Sequence, residues 1–231
     1  MKVPFDVIPV TMHKANIQAE TDQWELIETQ DAISNAAEYE WRIEKLDLME
    51  DSKESNFNPY AGQRILEADY IFIWPWDIFT SIWANFIFPK TKEYFEKTKA
   101  KIYFIANNTN KKWEANWFWI IDFKQEVAKF LWRKVDWIFV NNKQMDFSPE
   151  EEKKFKEDIS VKWWDLVYLQ DVEREFFQSI WVKVIEWDFL DKKTYYKHNK
   201  ENLMKKIFEE IFYSWKSEIK EKISDFFEEV F

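Results

Sequence analysis

The chain has no cysteine, which excludes disulfide cross-links and thiolate metal centres. No run of about 18 apolar residues occurs, so a membrane-spanning helix is excluded as well. The opening residues, Met1-Lys2-Val3-Pro4-Phe5-Asp6, lack the apolar core of a signal peptide. Basic residues are outnumbered, 33 Lys and Arg against 43 Asp and Glu, giving a net charge of −10. That balance argues against a nucleic-acid footprint and against attraction to an anionic membrane. A cytoplasmic protein with neither kind of partner is expected. Glycine is the last scarcity. Gly62 stands alone in 231 residues, where average usage of about 7% would supply roughly 16.

Tryptophan makes up the shortfall, with 15 residues. Many of them stand where a glycine belongs. Trp24 follows Thr21-Asp22-Gln23 between two alternating stretches, at the place of a hairpin turn. Trp132 and Trp181 end helical patterns, where glycine commonly caps. Trp74-Pro75-Trp76-Asp77 follows a strand-like run, and Trp163-Trp164-Asp165 precedes one. Left-handed backbone costs a bulky L-residue about 1–2 kcal/mol. Repeated at half of the sites, that strain approaches a whole domain's stability. The hypothesis is an alternative genetic code: a gene in which TGA means glycine, translated with a table in which it means tryptophan. Only four of the 33 basic residues are Arg, and Phe, Ile, Asn and Tyr are abundant, as an AT-rich gene would give. Sequencing the gene decides the matter, because TGG at most of the fifteen sites refutes the idea. The alternative is a protein genuinely rich in tryptophan.

With glycine at those positions, strands and helices alternate. The patterns predict a short strand at 7–10, a hairpin of 16–20 with 25–28, a helical turn at 31–37 and a strand at 42–48. A polar loop at 51–58 leads to a helix at 59–67, with Pro59 suited to its first turn. Then come a buried strand at 68–73, helices at 78–85 and 91–98, and a strand at 101–106. A polar loop at 107–119, a helix at 122–131 and a strand at 138–141 follow. Residues 148–158 read as a charged helix, with Ser148 as cap and Glu151 completing a capping box. A strand at 166–169, a helix at 172–179, a strand at 182–186 and helices at 199–212 and 217–231 complete the series. Strands at Ile71, Ile102, Ile138 and Val167, separated by helices, predict βαβ units. The expected class is α/β: a mainly parallel, Rossmann-like sheet flanked by helices, with an antiparallel β-hairpin extension near the N-terminus. One domain over 1–212 is expected, followed by an amphipathic helix at 213–231.

Two loops carry candidate chemistry. Trp74-Pro75-Trp76-Asp77, followed by Thr80 and Ser81, becomes a Gly-Pro-Gly-Asp turn between strand and helix. Such a turn exposes backbone N–H groups at the carboxyl end of a strand, where phosphates settle. The plainer reading is a tight turn without a ligand. The loop from Asn107 to Trp119 leaves the next strand at the same sheet edge, and polar loops there are often functional. Its plainer reading is a solvated connection. His13 and His198 are the two histidines and lie too far apart in sequence to suggest a shared metal site. Glu150-Glu151-Glu152-Lys153-Lys154 reads as a solvated helix face. Ile219, Ile223, Phe226, Phe227 and Val230 form an apolar stripe for packing on the domain or in a dimer.

On these residues the chain resembles the superfamily of YvcK-like gluconeogenesis factors and CofD-like 2-phospho-L-lactate transferases. Pro9-Val10-Thr11 resembles the family's Pro-Val-Thr strand, and Ala19-Glu20 with Trp24 its hairpin. Ala68-Asp69 and Trp74 to Ile82 match Ala-Asp and Gly-Pro-Gly-Ser-Leu-Tyr-Thr-Ser-Ile, and Asn85-Phe86 matches the Asn-Leu that follows. Asn107 and Trp113-Glu114-Ala115-Asn116-Trp117 resemble the Asn…Gly-Glu-Thr-Asp-Gly loop, and His198-Asn199 resembles a His-Asp pair. Each family glycine in these motifs meets a tryptophan. Asp77 in place of Ser, and Ala115-Asn116 in place of Thr-Asp, depart from the pattern. The resemblance starts at about the family's midpoint. It therefore implies the carboxyl-terminal part of the domain, without the half bearing the Gly-Gly-Gly-Thr-Gly loop.

The resemblance implies ligand contacts by Thr11, Trp74, Pro75, Trp76, Asp77, Thr80, Ser81, Asn85, Asn107, Trp113, Glu114, Asn116 and Trp117. The ligand it implies is a phosphorylated small molecule of the UDP-sugar type, bound by a regulator of cell-envelope synthesis and carbon metabolism. The Gly-Pro-Gly-x-x-x-Thr-Ser-Ile form fits that branch. A transferase of deazaflavin coenzyme synthesis, with a divalent metal, is the second reading, and a glycine at Trp83 is closer to it. A carbohydrate-binding module is the third, reserved for genuine tryptophans. No catalytic residue is assigned, and a homo-oligomer or a complementing amino-terminal half is the implied protein partner.

Overall fold

The structure, a computed structural model, describes residues 5–35, 42–111, 115, 118–142, 148–150, 153, 157, 164–191, 197–213 and 216. The chain enters a three-stranded antiparallel sheet of β1 (Ile17–Thr21), β2 (Leu26–Glu28) and β3 (Ile43–Leu48), in the order β2-β1-β3. Strand β1 alternates buried and half-buried residues, which fits a sheet with one face on the core. Ala19 sits opposite Ile27 and Leu46. Helix α1 (Gln30–Asn35) follows the hairpin. Helix α2 (Pro59–Glu67) starts where the sequence demands: Asn58 Oδ1 accepts from Tyr60 N at 3.0 Å, and Pro59 fills the first turn.

A second sheet carries β4 (Tyr70–Ile73), β5 (Lys101–Ile105), β7 (Trp137–Asn141) and β9 (Lys183–Trp187), all parallel, in the order β4-β5-β7-β9, with helix α3 (Thr91–Lys97) between β4 and β5. Its central strands are apolar on both faces. Ile102, Phe104, Ile138 and Val140 pack into one cluster with Phe123, Val127 and Leu131 of α4 (Ile120–Leu131). Tyr103, Ile105 and Phe139 face the other way, against Leu203 and Ile207 of the helix at 200–213, here α6. Two buried faces with period-two alternation give helix, sheet and helix layers. Arg174 of α5 (Asp171–Ser179) bonds Glu186 at 2.7 and 2.8 Å, tying that helix to β9.

Four expectations are corrected. Residues 7–10 form no strand; Asn58 instead bonds Val10 O and Pro9 O, and Val7 is exposed. Residues 78–85 are not an α-helix but a π turn (Ile78–Ile82) followed by a 3-10 turn (Trp83–Asn85). The wider turn accompanies an indole, Trp83, wedged between Phe79 and Phe130. The loop at 107–119 contains a strand, β6 (Thr109–Lys111), paired antiparallel with β8 (Trp164–Leu166). The run around Val167 therefore leaves the parallel sheet, whose fourth strand is β9. Most of the expected helix at 148–158 and all of that at 217–231 lie outside the described residues.

Candidate functional site

Parallel strands place all their carboxyl ends on one edge, and the loops leaving that edge are stitched together by amides. Strand β4 ends at Ile73 and β5 at Ile105, so residues 74–77 and 106–108 emerge side by side. Asn107 Nδ2 donates to Trp76 O at 3.2 Å, joining the two loops that the sequence singles out. Its Oδ1 is buried and accepts no hydrogen bond among the described residues. Asn108, 1% exposed, donates to Phe189 O at 3.4 Å and Lys197 O at 3.3 Å. Asn141, at the end of β7, accepts from Phe189 N at 3.2 Å. The edge is thus lined by a row of amides, with the Asp77 carboxylate in the neighbouring loop.

Trp74 and Trp76 are 41% and 61% exposed at the mouth of this edge, with half-buried Pro75 between them. Asp77 and Ser81 are half-buried and Thr80 is buried; Thr80 Oγ1 lies 3.5 Å from Asp77 Oδ2. Asn85 donates back to Ser81 O within the turn. A five-residue π turn supplies far less dipole than the helix expected here, so recognition at 74–81 falls to individual groups. Thr11 is held elsewhere, donating to Asn56 O at 2.8 Å. Trp113, Glu114, Asn116 and Trp117 lie outside the described residues.

Several groups near the site carry no local sequence signal. Gln30 Nε2 and Ser34 Oγ of α1 both reach Thr80 at 3.5 Å, so the antiparallel sheet's helix lies against the loop after β4. A cavity of about 210 Å³ opens beyond β6 and β8, lined by Asn110, Phe118, Trp119, Leu166, Val167, Tyr168 and Gln170. Val167 N donates to Asn108 O at 2.8 Å, which ties the cavity wall to the amide row. A polar residue followed by a cavity wall has no sequence signature of its own, and only the pairing of β6 with β8 reveals it.

His198 packs beneath the same edge, with Nε2 3.1 Å from Ala106 O. Burial lowers its pKa to about 4, partly opposed by the bond to Ala106. The folded chain therefore keeps the ring neutral while the unfolded chain takes a proton below about pH 6.5. Stability is unaffected by this group above that pH and falls as pH drops from 6.5 towards 4. The loss reaches about 3 kcal/mol at most. Urea unfolding of wild type and His198→Gln at pH 7 and pH 5 checks this: the variant is expected to lose less stability on acidification.

Among the described residues, no three His, Cys, Asp or Glu side chains gather into a metal cage. Asp77 brings one carboxylate to the loop, too few for a hard cation without ligand oxygens. No helix among the described residues is long and apolar enough to cross a membrane.

The family model of the 2-phospho-L-lactate transferase CofD matches residues 1–190. A Clostridium acetobutylicum protein provisionally named a gluconeogenesis factor is 25% identical over 214 residues, covering 91% of this chain and 45% of its own length. An Aquifex aeolicus protein of the same name is 29% identical over 130 residues, 56% of this chain and 39% of that one. A crystal structure of a Bacillus halodurans protein of the UPF0052 family superposes with a TM-score of 0.69 at 19% identity, over 83% of this chain and 57% of that one. A second structure from that organism gives a TM-score of 0.72 at 18% identity, over 87% and 61%. These structures share the fold. The chain spans less than half the length of the two curated relatives.

Proposed function

The chain belongs to the 2-phospho-L-lactate transferase CofD family, and from that premise we propose that it binds a nucleotide sugar of the UDP-sugar type. It acts as a cytoplasmic regulator of cell-envelope synthesis and carbon metabolism. The observation that carries this reading is Asn107. It bridges the loops at 74–77 and 106–108 and keeps one buried carbonyl oxygen without a partner in the described chain. A buried acceptor of this kind suits a ligand N–H or hydroxyl, the groups that a uracil ring and a sugar present. The names of the relatives favour the gluconeogenesis-factor branch. The cavity of about 210 Å³ is smaller than a whole nucleotide sugar needs, so it takes a part of the ligand. A complementing amino-terminal half supplies the rest of the site, and a second copy of the chain is the other candidate partner.

The transferase reading keeps one point in its favour, the family's own description. In that case Asp77 would help to hold a divalent metal together with the ligand, and the metal would supply charge neutralisation for the transferred group. Isothermal titration separates the two. Saturable binding of UDP-N-acetylglucosamine, weakened about tenfold or more in Asn107→Ala, is expected from the loss of one hydrogen bond to the ligand. Binding of a deazaflavin precursor, with no response to the nucleotide sugar, transfers the conclusion to the second reading.

A further inference from the structure

Three tryptophans lie on left-handed backbone: Trp24 at φ 65°, Trp132 at φ 50° and Trp181 at φ 59°. Each stands at a turn or helix end. Trp24 closes the β1–β2 hairpin, donating from its N–H to Thr21 O at 2.9 Å. Trp132 follows the last residue of α4 in the αL conformation, and Trp181 comes two residues after the end of α5. Their side chains gain little. Trp24 is 85% exposed and Trp181 94%, while Trp132, 41% exposed, has the Lys92 ammonium 5.6 Å from its ring. For Trp24 and Trp181 such exposure offsets little of the steric conflict of a Cβ with left-handed backbone, and at Trp132 only the Lys92 contact and an edge contact with Phe130 at 6.4 Å work against it.

Trp83 fails in the opposite way. It is 2% exposed, yet its indole Nε1 is buried without a hydrogen-bond partner among the described residues. Its ring centroid lies 3.8 Å from that of Phe130 at 45°, closer than the 4.5–7 Å of ordinary aromatic pairs. The same strip of chain makes the π turn in place of the expected helix. Trp137 provides the contrast. It sits in β7 edge-on to Tyr103 at 5.0 Å with Lys183 3.8 Å above its ring, an arrangement that suits an indole. Gly62, the one glycine in the sequence, lies where a Cβ would come within 2.3 Å of the Tyr94 ring.

We propose that the functional polypeptide carries glycine at positions 24, 83, 132 and 181, because the cell of origin reads those codons as glycine. This inference is independent of the ligand reading. A cap, a hairpin turn and a crowded helix contact each ask for the residue without a side chain, for three separate steric reasons. Extended to Trp74 and Trp76, the same reading clears two exposed indoles from the mouth of the amide edge.

Two measurements test it. Peptide mass spectrometry of the protein isolated from its source cells should find glycine at all four positions, and tryptophan at any of them overturns the proposal for that site. The recombinant chain supplies the physical test. Trp24→Gly, Trp132→Gly and Trp181→Gly should each raise Tm by about 2–8 °C. Alanine at the same sites, which keeps the offending Cβ, should give less than half the gain. A Tm that is unchanged or lower, or alanine variants equal to the glycine ones, overturns the steric argument. Should the recombinant chain prove insoluble as written, the mass spectra alone decide.

Discussion

Phe104→Ala is expected to lower the unfolding free energy by about 3–5 kcal/mol and Tm by about 6–20 °C. Phe104 is fully buried in β5, a central strand of the parallel sheet, opposite Ile73 of β4 and Ile138 of β7. Removing its ring leaves a cavity between two strand neighbours whose backbone positions are fixed by ladder hydrogen bonds, so little collapse can fill it. The strand that loses support is also the one that leads into Ala106-Asn107-Asn108, and the amide edge should loosen with it. Urea denaturation measures the energy. Phe208→Ala, on a ring 65% exposed, should change it by less than about 0.5 kcal/mol.

The second large effect is expected at Glu173. This carboxylate is 2% exposed and accepts from Ile121 N at 2.9 Å and Gln170 N at 3.1 Å. One side chain thereby caps the start of α4 and the residue before α5. Glu173→Ala strands both donors in a dry place and should cost about 2–4 kcal/mol. Glu173→Gln keeps a carbonyl acceptor and should cost clearly less. Burial pushes the Glu173 carboxyl above its ordinary range, against the pull of the backbone N–H groups that bind it. A raised carboxyl pKa makes the group's contribution complete below about pH 4.5 and erodes it as pH rises through the folded value. The glutamine variant should therefore gain on wild type with rising pH. A gap that stays constant between pH 4 and pH 8 refutes the assignment.

Much of the fold is legible because local chemistry and tertiary packing agree. Helix α2 coincides with the expected 59–67, since Asn58 and Pro59 specify its start without help from the rest of the chain. Strands β5 and β7 announce themselves as short apolar runs between turns. Partners are harder to read. Leu166 to Leu169 has the apolar look of a buried parallel strand, yet residues 164–166 pair antiparallel with Thr109–Lys111. Periodicity gives a strand's faces and says nothing about its neighbour. Thr109-Asn110-Lys111 has no strand signal at all, and it becomes one only beside β8.

The candidate site divides the same way. That the loops at 74–77 and 107 onward share an edge follows from counting βαβ units, and the Asn107 bond to Trp76 O places them together. The contribution of α1 does not follow from counting. Gln30 and Ser34 reach Thr80 across some fifty residues of chain, from an element attached to the other sheet. Asn108 and Asn141 bind backbone of the chain's own return segments, and no local pattern marks an asparagine for that task. The turn at 78–85 departs from its pattern for a different reason: its apolar spacing is helical, but the chain forms a π turn there with the Trp83 indole packed between Phe79 and Phe130.

The register of the parallel sheet has a kinetic consequence. Tyr70 pairs with Lys101, Tyr103 with Trp137, and Trp137 with Lys183, so no ladder rung closes until a whole crossover has been gathered in. Loop closure must precede the contacts that reward it, and sheets built this way fold slowly for their size. The amide edge exists only where the ends of those strands meet. It requires those strands to be paired, so a ligand that fits it recognises the assembled sheet and not the separate strands.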